Sequence, residues 1–529
     1  MPKNSTQTIP YELSQEGALS LSWRDHFHWP LPISGYYAIN DEFISRKLAF
    51  AAKCEGHERN IALLGNEITM AALIDAAFAI NAETSSQPKL SGPPELDVLR
   101  GKTSVEAMVE RGAKHHRKPS TLFWVTLRQL ARTASWSNKS HLLRNFCSPD
   151  VIALTHNRLL IDYAKKNQSQ LRYRHGNLFL EQLMKNTPVT LPSTDISAFT
   201  DQFIDSVLHF VDLNPKIEQA LQSLVRPLLE NVFTHADHVL TALRNAKQLP
   251  TKVWTGNGGV FAGRAIGLEV LRRGGEAWRF DHGGTAALCN MPNFLAFQEL
   301  AVSSHFVMPS RKAASSLIIQ DTKKAVAKFG SVTVEGHTGD ISLDIGPIWR
   351  NNQHGRPRRP RVLYVPTAYY GFFQSIPPVP PGIPYLEWQI RLIETLSAFP
   401  IEFAVNPHPE GMLGDRNLPY EEITTIVRTS FEEALRNTDI LVMDMPASTT
   451  FSIALTTERP ILLIDFGILP FNKEVAPEIE KRCRIIPVSY DKRNRAQLNL
   501  EALEEALFRE ETECDPTYFR HLFLDQEVD

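Results

Sequence analysis

The chain has 529 residues, 43% of them apolar and 22% charged, a length that implies two or more folded units and a composition that excludes a disordered chain. Its 56 Lys and Arg against 59 Asp and Glu leave a net charge of −3, without the positive surplus that drives binding to nucleic-acid backbones, so no nucleic-acid partner is expected. The five cysteines are far apart and form no C-x-x-C pair, which argues against a structural metal and predicts a reducing, cytoplasmic compartment.

The first half of the chain carries the weaker signals. Its start, M-P-K-N-S-T-Q, lacks the basic-then-apolar layout of a signal peptide. The best apolar stretch, Met70 to Ala82, is too short to span a bilayer and carries Asp75, so only peripheral contact with the inner face of a membrane is left open. Asn60 to Leu64 reads as a strand, with a helix near Met70 to Ala82, and Thr200 to Ala246 reads as mostly helical. The basic run K-H-H-R-K, Lys114 to Lys118, reads as a solvated face, with an anionic membrane or acceptor contact as the alternative. No topology is assigned before about residue 250.

From there the pattern is regular. Lys252 to Thr255 is a strand entering the turn G-N-G-G, Gly256 to Gly259; Phe261 to Arg273 is a helix, and Ala277 to Phe280 is a strand leading into D-H-G-G. The segment H-G-R-P-R-R-P-R, His354 to Arg361, has the composition of an exposed connector and marks the main boundary. Strands are expected at Arg361 to Pro366, Ile401 to Val405, Ile440 to Asp444 and Ile461 to Asp465. Helices are expected at Leu386 to Phe399, Tyr420 to Arg436 and Thr449 to Thr456. The Pro-rich run Ile376 to Pro384 reads as an ordered loop, because each proline removes a donor and clashes with a preceding helical turn. Nearly continuous apolar strands alternating with helices predict an α/β fold with parallel sheets, in two Rossmann-like domains. The boundaries are 1–355 for the first domain with helical additions, 356–500 for the second, and 501–529 for a C-terminal helix that packs back on the first.

In open α/β sheets ligands bind beyond the carboxyl ends of the strands, so motifs that follow strands carry the functional argument. Four qualify. N-P-H-P-E, Asn406 to Glu410, holds His408 between prolines, where an imidazole can donate to phosphate or carry a proton; alone, it equally describes a loop histidine. D-M-P-A-S-T-T-F, Asp444 to Phe451, places Ser448, Thr449 and Thr450 at a helix start, an arrangement that binds phosphate or simply caps the helix. F-D-H-G-G-T, Phe280 to Thr285, sets His282 beside Asp281, which could orient the imidazole, or else forms a surface turn. The turn Gly256 to Gly259 departs from G-x-G-x-x-G spacing, which argues against a dinucleotide cofactor; it either lets a sugar or nucleotide approach, with Asn257 as a contact, or is purely conformational.

F-D-H-G-G, N-P-H-P-E and the run T-D-I-L-V-M-D-M-P-A-S-T-T-F-S-I-A-L-T-T-E-R-P-I-L-L-I-D resemble glycosyltransferases of the GT-B architecture. Within that architecture the likeness is to the bacterial surface-polysaccharide transferases that include CDP-glycerol glycerophosphotransferases, sialyltransferases and Kdo transferases. It covers about residues 250 to 470. It implies two Rossmann-like domains facing across a cleft, a CMP- or CDP-activated donor, a glycan or glycolipid acceptor of the cell surface, and no cofactor. It implies that His408, Ser448, Thr449 and Thr450 hold the donor phosphate and that His282 acts at the reaction centre. Asp281, His282 and Glu410 are then the candidate acid, base or nucleophile. The His-Pro is followed by E-G-M-L, without the nearby arginine of the glycerophosphotransferases, which favours a CMP-ulosonic acid such as CMP-Kdo over CDP-glycerol. The carboxylate of such a donor wants a cation, for which Arg264 and Lys473 are candidates, alongside Asn257 as a sugar contact. The absence of a D-x-D motif fits metal-independent transfer. The alternatives are a polyol-phosphate transferase on the same fold and a non-catalytic scaffold of a polysaccharide assembly complex.

Overall fold

The computed structural model describes residues 32–64, 122–136, 149–185, 194–207, 215–345, 359–367, 382–409, 420–509 and 514–526, with short pieces at 9–10, 90–91, 145 and 418. Met70 to Ala82, Lys114 to Lys118, Glu410, most of the Pro-rich run and residues 354–358 of the connector lie outside the described residues.

The short apolar runs form two sheets of six strands, both entirely parallel. The first contains β1 (Val151–Ala153), β2 (Leu171–Tyr173), β3 (Lys252–Thr255), β4 (Glu276–Phe280), β5 (His305–Met308) and β6 (Thr333–Gly336), in the order β2-β1-β3-β4-β5-β6. The second contains β7 (Arg361–Val365), β8 (Glu402–Val405), β9 (Thr425–Ile426), β10 (Ile440–Met443), β11 (Ile461–Asp465) and β12 (Cys483–Pro487), in the order β9-β8-β7-β10-β11-β12. Counted from β7, this is the 3-2-1-4-5-6 order of a Rossmann sheet, whose direction of winding reverses between β7 and β10. The first sheet reverses between β1 and β3. The chain is thus α/β with two Rossmann-like sheets.

A helical layer buries one face of the first sheet. It includes α1 (Ile33–Lys53), α2 (Gly56–Leu64), α4 (Pro215–Asn245), α5 (Phe261–Arg272) and α6 (Pro292–Gln298), while α3 (Arg158–Lys166) packs on the opposite face. Phe50 of α1 and Phe233 of α4 meet Phe199 and Phe203 edge to face, with centroids 5.0–5.3 Å apart. Lying between the sheet and the helices α2 and α4, α5 is buried without interruption from Ala262 to Val270. The run Asn60 to Leu64, expected as a strand, is the end of α2, with Ile61, Ala62, Leu63 and Leu64 all buried. A continuous apolar run is what a helix covered on every side also requires, and periodicity cannot separate the two.

In the second half, α7 (Gly382–Ser397) follows β7, α8 (Phe431–Leu435) precedes β10, α9 (Thr449–Leu455) follows it, and α10 (Thr517–Leu524) ends the described chain. Tyr420 to Arg436 is not one helix. It is a turn, the edge strand β9 and the five-residue α8, whose cap Ser430 accepts from Glu433. The β-branched stretch Ile423 to Val427 favours an edge strand, and Asn406 fixes it by donating its Nδ2 to the carbonyls of Val427 (2.8 Å) and Thr429 (3.1 Å).

The two halves meet through loops that follow strands. Asn472 donates its backbone N–H to Leu288 (2.8 Å) and its Nδ2 to the carbonyl of Ala287 (2.7 Å), and Asn290 donates to Pro470 (2.7 Å). The helix α10 crosses to the first half, where Ser310 Oγ donates to the Leu522 carbonyl (2.5 Å) and Asp340 N–H to that of Phe523 (2.9 Å). Among the described residues no helix is long and apolar enough to cross a membrane.

Candidate functional site

The carboxyl end of β4 and the start of α9 come together at this seam. The D-H-G-G turn reverses through Gly283 (φ 76°) and Gly284 (φ 77°), both in the left-handed region that favours glycine. Gly283 lies directly on Thr449, so that a Cβ there would overlap the Thr449 hydroxyl, and a Cβ on Gly284 would strike the Phe523 ring. Ser452, one turn into α9, donates its Oγ to the Gly283 carbonyl at 2.5 Å. His282 and Thr449 are therefore brought to one place by glycines with no room for a side chain.

Asp281 is buried at 4% exposure, and its carboxylate accepts the Gly284 N–H at 2.8 Å. Burial pushes its pKa up to about 7, against the lowering effect of the Gly284 and His282 N–H groups and with the negative charges of Asp340 and Glu299 adding to the rise. Asp281 is thus committed to holding the turn. His282 is exposed, and its charge bears on the buried carboxylate of Asp340, a residue outside the motifs named from the sequence. Asp340 is 3% exposed, has a raised pKa from burial, and accepts from Ser342 through both N–H (2.9 Å) and Oγ (2.7 Å). Only spatial proximity reveals it, since nearly sixty residues separate it from His282.

Ser448 is the N-cap of α9. Its Oγ accepts from Phe451 N–H at 3.1 Å, donates to the Met445 carbonyl at 3.0 Å and lies 3.0 Å from Thr450 Oγ1. Capping therefore occupies the Ser448 hydroxyl, while the half-buried Thr449 and Thr450 stand at the same helix start. The end of β10 faces the point where the second sheet reverses. His408, half-buried, stands three residues beyond β8, on the other side of β7. Two strand spacings, about 10 Å, separate those strand ends. Beneath them lies Asp444, fully buried, accepting from Tyr364 Oη (2.5 Å), Tyr385 Oη (2.8 Å) and Trp388 Nε1 (3.1 Å). Burial raises its pKa to about 6 against the pull of those three donors. Asp444 ties β7, α7 and β10 into one floor and is not itself presented to a ligand.

The structure places the donor-sugar candidates in different settings, Arg264 and Asn257 tied into the fold and Lys473 at the surface. Arg264 is 1% exposed; its guanidinium donates to the carbonyls of Gly258 (3.1 Å), Phe297 (3.0 Å), Gln298 (3.0 Å) and Leu63 (2.6 Å) and lies over the Phe297 ring. It clamps α2, α5 and α6 and is not a cleft residue, because α5 is sandwiched on both sides. Asn257 Oδ1 accepts from Gly259 N–H (2.7 Å) and Gln298 Nε2 (3.3 Å), closing its own turn. A Cβ at Gly256 would overlap Asn157, and one at Gly258 the Gln298 carbonyl, so this backbone is covered by the protein and not open to a ligand. Asn157 in turn caps α3 and donates to the carbonyls of Gly256 (3.3 Å) and Asp281 (3.0 Å), linking the reversal point of the first sheet to the D-H-G-G turn. Lys473 is exposed, next to the docking residue Asn472.

Chemically, the seam offers an exposed imidazole, two threonine hydroxyls at a helix start and a second histidine two strand spacings away. Among the described residues no group of three or more His, Cys, Asp or Glu is arranged to hold a metal ion. No family model, curated protein or solved structure matches this chain.

Proposed function

We propose that the chain is a glycosyltransferase of GT-B type that takes a CMP- or CDP-activated donor and builds a cell-surface glycan. The observation that carries this reading is the 3-2-1-4-5-6 second sheet, whose reversal point lies beside a Thr-bearing helix start and is met there by the His282 turn of the other half. Nucleotides bind at such reversal points, with phosphate at a helix N-terminus. In this reading His408, Thr449 and Thr450 hold the donor phosphate, and His282 donates to or accepts from the reacting oxygen, with Asp340 behind it. Ser448 serves as the cap that fixes the helix start. With Arg264 committed to the interior, an ulosonic acid carboxylate is left with Lys473 as its candidate cation, so the donor is proposed at the level of the cytidine nucleotide.

Calorimetric titration with CMP, CDP and UMP tests this. Expected is cytidine nucleotide binding that the double variant His408→Ala, Thr449→Val weakens at least about tenfold, a loss of about 1.4 kcal/mol. Unchanged affinity in a folded double variant, or no binding of any nucleotide, overturns the phosphate assignment. Synthesis from CMP-Kdo or CDP-glycerol, offered side by side, separates the two donor classes. A His282→Ala protein that still supports the cellular glycan would favour the scaffold.

A further inference from the structure

A cavity of about 250 Å³ lies away from the phosphate and His282 assignments, where α1 meets both halves. Its walls are α1, the Asn290–Phe294 segment entering α6, and the Gly467–Pro470 loop after β11. In the middle of α1, Asn40 lines it. The residue is 5% exposed, and its side-chain Oδ1 has no hydrogen-bond partner. Buried amides almost always have partners, so an orphan acceptor on a cavity wall points to an absent occupant with a donor to offer.

The rest of the wall narrows the chemistry. Tyr37, one turn before Asn40, is buried, and burial, with the Asp444 carboxylate adding to it, pushes its hydroxyl pKa well above the ordinary value. Asp41 stands exposed at the rim, one carboxylate oxygen accepting from Asn293 Nδ2 at 3.0 Å. Ile44, Met291 and Phe294 supply apolar surface. Among the described residues no Lys, Arg or His lines the cavity. A phosphate or carboxylate would enter without a counter-charge and against Asp41, which makes an anion a poor occupant. The volume is below that of pockets for drug-sized ligands and suits one ring. A ring bearing several hydroxyls gives donors to Asn40 Oδ1 and Asp41 while accepting from the Asn40 amide, and its C–H face suits Phe294.

We propose that this cavity binds a single uncharged hexopyranose ring, with Asn40 as its central hydrogen-bonding residue. The site goes beyond the transferase reading and does not rest on it, since none of the motif residues lines the cavity.

The test titrates the full chain with the methyl glycosides of glucose, galactose, mannose and N-acetylglucosamine to millimolar concentration. Saturation-transfer NMR and thermal shift are the readouts, and glucuronate is the charged comparison. Expected is binding of at least one neutral glycoside and none of glucuronate. Asn40→Leu, close in volume and free of the orphan carbonyl, should melt higher than the wild type without ligand and bind the glycoside at least about tenfold more weakly. Should Asn40→Leu fail to fold, the wild-type comparison of neutral against charged sugar decides alone. No glycoside binding, which is the behaviour of a cavity holding only water, overturns the proposal. So does equal binding of glucuronate, or full glycoside affinity in Asn40→Leu.

Discussion

The Ser452 hydroxyl donates to the main-chain carbonyl of Gly283 at 2.5 Å, joining the helix after β10 in one sheet to the turn after β4 in the other. Both groups are buried, so the bond shields a carbonyl that has no water to turn to. Ser452→Ala should cost about 1–3 kcal/mol, the penalty of leaving a buried acceptor unpaired. Urea denaturation monitored by tryptophan fluorescence checks this, and a variant as stable as the wild type would show that the seam does not depend on this bond.

Gly283 and Gly274 separate backbone conformation from crowding. Both have positive φ, but a Cβ at Gly274 meets nothing within 4 Å, whereas one at Gly283 overlaps Thr449. Gly274→Ala should cost about 1–2 kcal/mol for the left-handed backbone alone. Gly283→Ala should add about 1–3 kcal/mol for overpacking the seam. Equal losses in paired thermal melts would mean that the two halves part at little cost.

Asp281 gives a pH dependence of defined sign. Its folded-state pKa of about 7 lies above the ordinary carboxylate value, so the folded protein holds the proton more tightly than the unfolded chain does. The associated stability is fully present below the unfolded pKa near 4 and is lost as pH rises through about 7, at a rate of order 1 kcal/mol per pH unit between them. Asp281→Asn keeps an acceptor for the Gly284 N–H and removes the titration. The wild type minus variant stability difference, measured from pH 4 to 8, should therefore fall as pH rises and level off above 7. A difference curve that is flat or rises would exclude a raised Asp281.

Arg264 and Lys473 are both basic and differ completely in setting. Arg264→Ala strips donors from four carbonyls at the junction of α2, α5 and α6 and should cost at least about 3 kcal/mol. Lys473→Ala, at an exposed position, should stay within about 0.5 kcal/mol of the wild type. Chemical denaturation distinguishes them, and a well-folded Arg264→Ala protein would reopen Arg264 as a ligand contact.

His282 is exposed, and under the proposed transferase reading its removal should leave the melting temperature nearly unchanged while lowering kcat roughly 10²–10⁴-fold in a sugar-transfer assay. Retention of full kcat in His282→Ala would remove it from the chemistry.

Local pattern sufficed for β3, β4, α5 and for β7, β8, β10, β11 and α9, because each is an apolar run bounded by polar residues, glycine or proline adjacent to it in the chain. It failed at Asn60 to Leu64, where a helix is enclosed on all sides, and at Tyr420 to Arg436, where pairing with β8 outweighs helical spacing. Strands as short as Val151–Ala153 and Leu171–Tyr173 leave too little periodicity to find. At the candidate site, the sequence marks where strands end, and so where His282, His408 and Ser448 stand in the chain.

What the sequence by itself determined is the α/β class and the second half's strand-to-helix motifs, since these depend on neighbours in the chain. The 3-2-1-4-5-6 order, the meeting of Gly283 with Thr449, the commitment of Asp281 and Ser448 to backbone N–H groups, the burial of Arg264 and the place of Asp340 beside His282 were decided only by the tertiary structure. Each depends on which surfaces touch across distances that no local period encodes, and burial then decides whether a polar side chain is left for a ligand or spent on the fold.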